Sequence, residues 1–105
     1  MSIRYWINNG GSWSDSSHWS LTSGGIGGAS VPSIDEPVIF DSNSFTIDSI
    51  VSLSGECYCN SIDCSTISSL VTFNFSTDLT ILNVLENITL STNVSFTYPE
   101  LIIGN

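Results

Sequence analysis

His18 is the only histidine, with Asp15 three positions before it and serines at 12, 14, 16, 17 and 20. An imidazole beside a carboxylate can serve as a general base. In a stretch this rich in serine, however, a Ser-His-Asp set can be written down at will, and spacing without geometry carries no catalytic signal. Hydrogen bonding within a turn is the expectation for both residues. Cys57, Cys59 and Cys64 form a C-x-C-x4-C pattern, which lacks the fourth ligand of a tetrahedral zinc site. In an extended strand Cys57 and Cys59 share a face, so they are expected to pack as small buried hydrophobes. A Cys59–Cys64 bridge across a tight arc is the other geometric option, and the odd count leaves at least one thiol unpaired. Asp35, Glu36, Asp41 and Asn43 could offer oxygens to calcium, but no EF-hand loop or Asp-rich repeat surrounds them.

No catalytic, metal or cofactor residue is therefore assigned. Polysaccharide hydrolases need closely placed carboxylates. Here the acids are dispersed over Asp35, Glu36, Asp41, Asp48, Glu56, Asp63, Asp78, Glu86 and Glu100. A lyase base would have to be Arg4, the only basic residue. Tyr5, Trp6, Trp13 and Trp19 could stack on sugars as in a carbohydrate-binding module. Large aromatics beside glycine loops more often fill a core, and burial is expected for at least two of the tryptophans. The glycine-rich stretch from Gly24 to Pro32 lacks the Lys and Ser/Thr of a phosphate-binding loop.

The elements that must hold these residues are short strands. Residues 3–7 predict a strand, Asn8-Asn9-Gly10-Gly11 a turn tolerant of positive φ, and residues 12–20 a compact turn or a single helical turn. Val38-Ile39-Phe40 predicts a buried strand. From Phe45 onward, apolar residues alternate with polar ones in short runs: Ile47, Ser49, Val51 and Leu53; Ile62 and Cys64; Val71, Phe73 and Phe75; Leu79 and Ile81; Ile88 and Leu90; Val94, Phe96 and Tyr98; Leu101 and Ile103. That is a period of two, with no helical stripe in any window.

The runs also recur. Val71 to Val94 and Phe73 to Phe96 are 23 apart, while Leu79 to Leu101, Ile81 to Ile103, Val51 to Phe73 and Leu53 to Phe75 are 22 apart. A repeat of that length with two or three short strands suits one rung of a parallel β-solenoid. An antiparallel β-sandwich is the alternative, since its turns arrive as often. The expected organisation is one small unit, with a Trp/Gly-rich cap over 1–44 and solenoid rungs over 45–105.

Charge narrows the partners. The chain of 105 residues has no lysine, one arginine and ten acidic residues, a net charge of −9, with only 10% of residues charged. Nucleic acids and anionic membranes are bound through Lys and Arg, so neither is expected as a partner. No run approaches the roughly 18–20 apolar residues of a membrane span. Residues 1–6 show no basic region followed by an apolar stretch, so no signal peptide is expected. Release by lysis, as for a virus, or a leader already removed are the routes to the outside that remain.

The first third of the chain carries a resemblance. Tyr5-Trp6, Gly10-Gly11-Ser12-Trp13-Ser14-Asp15, His18-Trp19-Ser20, Ser23-Gly24-Gly25, Gly27-Gly28-Ala29-Ser30-Val31-Pro32 and Val38-Ile39-Phe40-Asp41-Ser42-Asn43-Ser44-Phe45 are similar to a block that opens many large repetitive proteins. Those are proteins of bacteriophages, and surface proteins, associated with Bacteroidetes. The stretch around Cys59-Asn60-Ser61-Ile62-Asp63-Cys64 resembles the start of their β-helix. The resemblance covers most of residues 4–65, and residues 66–105 match in style alone; Asn8-Asn9 stands where those proteins tend to have Gly. It implies a virion, tail or fibre component and no catalytic motif.

The expectation is thus a non-enzymatic structural protein of a virion or extracellular fibre. Tyr5, Trp6, Trp13, His18 and Trp19 would form its cap, and Val71, Phe73, Phe75, Phe96, Leu101 and Ile103 its stacked core. It would self-assemble or join other virion or fibre proteins through its strands and its N-terminal block. The final run, Leu101 to Asn105, has no polar blockers, which points to a subunit meeting a neighbour or to part of a longer fibre. A glycan-binding module or adhesin fragment using exposed tryptophans is the alternative function.

Overall fold

The computed structural model describes residues 3–75, 80–97 and 101–103, the last three in their backbone. The fold is all-β. Its strands are β1 (Arg4–Trp6), β2 (Gly11–Ser12), β3 (Trp19–Ser20), β4 (Pro37–Ile39), β5 (Ser49–Leu53), β6 (Glu56–Cys59), β7 (Ser61–Asp63), β8 (Val71–Phe75), β9 (Ile81–Val84), β10 (Ile88–Thr89), β11 (Val94–Thr97) and β12 (Leu101–Ile103). The only helical piece among the described residues is one 3-10 turn, Ser16–His18.

The strands form three sheets: a first with the order β10-β7-β4-β1-β3, a second with β11-β8-β5-β2, and a third with β12-β9-β6. Every pairing is parallel except that of β3 with β1. From β4 onward the chain visits first, second and third sheet in turn, three times over. Parallel neighbours cannot be joined by a tight hairpin, and here each connection is made by the strands of the other two sheets. These pairings differ from those of an antiparallel sandwich.

Parallel sheets usually carry helices on both faces, and their strands then read as unbroken apolar runs. These strands alternate instead, buried inside and polar outside, because among the described residues no helix covers the outer faces. In β5 the side chains of Ser49, Val51 and Leu53 are buried while Ile50 is exposed; in β8 Val71, Phe73 and Phe75 are buried. The expected spacings hold in the second sheet: Val51 lies opposite Phe73 and Leu53 opposite Phe75, with Val71 opposite Val94 and Phe73 opposite Phe96.

The third sheet corrects the expectation. Ile103 pairs with Val84 and Leu101 with Leu82, three residues away from the expected Ile81–Ile103 match. The buried side chains of β9 are Leu82 and Val84, not Ile81. Residues 81–85 are apolar on both parities, so alternation cannot choose their phase; pairing of Leu82 with Cys57 and of Val84 with Cys59 does. Ile47 is exposed just before β5, and Leu90 is exposed just after β10. Leu79 and Tyr98 lie outside the described residues, as do the side chains of Leu101 and Ile103.

The sheets run across the expected division at 44/45. Val38 of β4 stands opposite Ile62 of β7, and Gly11 of β2 opposite Val51 of β5. One core joins both parts, from Trp6, Trp13 and Trp19 through Phe40 and Phe73 to Leu82 and Val84.

Candidate functional site

The residues singled out from the sequence fall in two regions, the N-terminal tryptophan segment and the last described strands. At the N-terminal end, Asn8 and Asn9 take positive φ (68° and 61°) and turn the chain out of β1. Asn tolerates that region where most residues do not. Asp15 then caps the 3-10 turn, its Oδ1 accepting from Ser17 N (2.9 Å) and Ser17 Oγ (2.8 Å). These bonds, the backbone one foremost, hold its carboxyl below the ordinary value. β3 returns antiparallel to β1, pairing Trp6 with Trp19 and covering the edge of the first sheet.

All three tryptophans are buried, with exposures of 0%, 1% and 0% for Trp6, Trp13 and Trp19. Trp19 meets Trp6 and Trp13 edge-on, each with ring centroids 5.0 Å apart. Trp6 Nε1 donates to Asn9 O (2.6 Å), and Trp19 Nε1 to Trp13 O (2.7 Å). Trp13 Nε1 is buried without a hydrogen-bond partner, a cost that the packing of its ring must exceed. Rings enclosed in this way offer no surface on which a sugar could stack. Tyr5 is half-buried on β1.

His18 belongs to the same cluster. Its ring lies flat on Trp6, 4.5 Å between centroids and 6° between planes. Its Nδ1 donates to Ile7 O (2.7 Å), while Ile7 N donates to His18 O (2.8 Å). Asp15 accepts from Ser17, so the imidazole–carboxylate hydrogen bond considered from the sequence is not formed. A Cβ on Gly11 would run into the His18 imidazole, which explains the glycine beside an aromatic cap.

Arg4, the sole cation, fastens the glycine-rich loop to β1. It is 7% exposed; Nε donates to Ser30 O (2.7 Å), Nη2 to Ser30 Oγ (2.6 Å), and Nη2 stands 2.9 Å from Glu36 Oε2. Nη1 is buried and unpartnered. Glu36 Oε1 accepts from Ser33 N (2.9 Å). Asp41 accepts from Ser23 Oγ, Asn43 N and Ser44 Oγ. The oxygens considered for calcium are thus occupied by the protein's own donors at Glu36 and Asp41. Among the described residues no group of three or more His, Cys, Asp or Glu converges on a metal position.

Cys57, Cys59 and Cys64 are free, buried thiols within the core. Burial pushes Cys57 up to about 11, and Cys59 and Cys64 each to about 12. They pack as small hydrophobes and are poor nucleophiles near neutrality.

At the other end, burial fades. Phe40 meets Phe73 at 5.1 Å and Phe73 stacks on Phe96 at 5.2 Å, so aromatic contact runs unbroken from cap to last strands. Phe73 is fully buried, whereas Phe96, Val94 and Ile88 are only partly buried. β10, β11 and β12 are the terminal strands of their sheets. Val71 N donates to Asn93 O (3.0 Å). Groups on a strand alternate sides, so Asn93, Ser95 and Thr97 face β8, while the backbone N–H and C=O of Phe96 face outward.

No protein-family model, curated protein or solved structure matches this chain. The site therefore rests on geometry. Trp6, Trp13 and Trp19 and the β8 residues Val71, Phe73 and Phe75, grouped from the sequence, lie in one buried cluster, but sequence reasoning missed two features. The Arg4–Ser30–Glu36 clamp was signalled only by a lone arginine in an acidic chain. Phe40, stacked on Phe45 at 6.0 Å, joins the tryptophan cluster to Phe73, a role that no sequence pattern announces.

Proposed function

We propose that this chain is a structural, non-enzymatic protein of a virion or extracellular fibre, folded as a short parallel β-solenoid. It assembles through its strands and its N-terminal block. The solenoid reading is supported by the cyclic order of the sheets and by like residues stacking on like, as in Val71 on Val94 and Phe73 on Phe96. One observation carries the functional reading: among the described residues β11 pairs on one side only, and its apolar side chains are half covered. Such an edge accepts another strand. The resemblance of residues 4–65 to the opening block of repetitive phage and surface proteins supports the setting. The excess of Ser, Thr and Asn over charged residues suits a surface that persists outside cells.

Light scattering combined with electron microscopy of the purified protein tests the reading. Ordered oligomers or filaments are expected, shortened by Phe96→Lys, which places a charge on the open edge while its stem covers Phe73. A stable monomer at all concentrations would contradict self-assembly through the strands.

A further inference from the structure

The outer faces of the three sheets differ in charge. Asp63 stands on the first and Glu56 on the third, both exposed. On the second, the outward positions form two rows, Ile50–Thr72–Ser95 and Ser52–Asn74–Thr97. No row contains a charge, and Thr72 Oγ1 lies 3.2 Å from Ser95 Oγ. Along one margin Ile47, Ile50 and Leu70 are 64%, 55% and 59% exposed. They border a groove of about 570 Å³ that also includes Gly10 and Asp48. The Asp48 Oδ1 accepts from Leu70 N (3.0 Å), so one carboxylate oxygen is already engaged.

We infer that this outer face of the second sheet is a lateral contact between copies of this chain. Exposed apolar patches on a sheet face mark interaction surfaces, and charge selects the occupant. Each copy carries −9, has no lysine and keeps its one arginine buried. No Lys or Arg on one copy can answer a carboxylate on the other. Two copies come into close contact most readily where carboxylates are sparse, and on this face Asp48, at the margin, is the one acid among the groove residues. A cationic partner would gain more from the faces bearing Asp63 or Glu56. The inference rests on the reading of the chain as a self-assembling unit and adds a side contact to the end contact at β11.

Sedimentation velocity at about 0.05 M and about 0.5 M salt tests it, because salt screens repulsion between like-charged bodies. Wild type is expected to associate more tightly at high salt. Leu70→Glu, in a loop, is expected to weaken that association about tenfold or more, and Ile50→Glu provides a second variant; circular dichroism checks that both fold. Phe96→Lys is expected to leave the side contact intact. Association unchanged in folded Leu70→Glu and Ile50→Glu would overturn the side contact. If Phe96→Lys alone abolished association, the end contact would stand and the side contact fall. A wild type monomeric at both salts would remove both.

Discussion

The N-terminal tryptophan segment and the last described strands of this molecule use similar residues and are covered differently. At the cap, Trp6, Trp13 and Trp19 are buried to within 1% of exposure, their edge strand is covered by antiparallel β3, and Arg4 holds a loop against it. At β11, Val94 and Phe96 lie opposite Val71 and Phe73, yet stay partly open beside an edge that no described strand pairs with. A stack of parallel strands satisfies its backbone only between neighbours, so closure at either end needs something outside the repeat. In the first sheet β3 flanks β1 at one end, and among the described residues no strand pairs with the outer side of β11 in the second.

Substitutions should separate the two ends by size of effect. Trp19→Ala empties the middle of the cap and is expected to cost about 3–5 kcal/mol, measured by chemical denaturation. A loss below about 1 kcal/mol would mean that the cap adds little to closure. Arg4→Ala leaves Glu36 in a largely buried site without its cation and is expected to cost about 3 kcal/mol. The double change Arg4→Met with Glu36→Leu should recover most of it, since an apolar pair of similar volume often replaces a buried ion pair without penalty. Phe96→Ala removes a ring only partly withdrawn from water, and about 1–2 kcal/mol is expected. Parity between Phe96→Ala and Phe73→Ala would erase the contrast between inner and last strands.

The smallest effect concerns acid. The Ser65 hydroxyl, followed by the Ser65 N–H, holds the Asp63 carboxyl below its ordinary value, and Ser17 does the same for Asp15. The unfolded carboxyls titrate near 4. Their contribution is therefore present above about pH 4 and is lost as pH falls through the lower native values. Ser65→Ala should flatten the acid limb of stability slightly, while an unchanged limb would show that this hydroxyl does not matter.

Strands with one buried face were legible because their alternation has a single phase, as in Val71, Phe73 and Phe75. Where both parities are apolar, as in Ile81-Leu82-Asn83-Val84-Leu85, only the neighbouring strand could choose, and the register came out differently. The N-terminal segment was legible as a tryptophan cluster in a turn-rich stretch. Its internal order was not: Trp6 over His18 and the Ile7–His18 exchange depend on an antiparallel return only two residues long. The Arg4–Glu36 clamp joins residues 32 positions apart through a loop with no regular pattern, and no periodicity announces such a pair.

Amide hydrogen exchange of β8 and β11, followed from dilute to concentrated protein, tests most directly whether the inner strand and the last strand of the second sheet differ as described. The Phe73 amide should be protected at every concentration. The Phe96 amide should exchange fast in dilute protein and become protected as concentration rises, when another strand covers it. Phe96 protection equal to that of Phe73 in dilute protein, with no change on concentration, would contradict an open end.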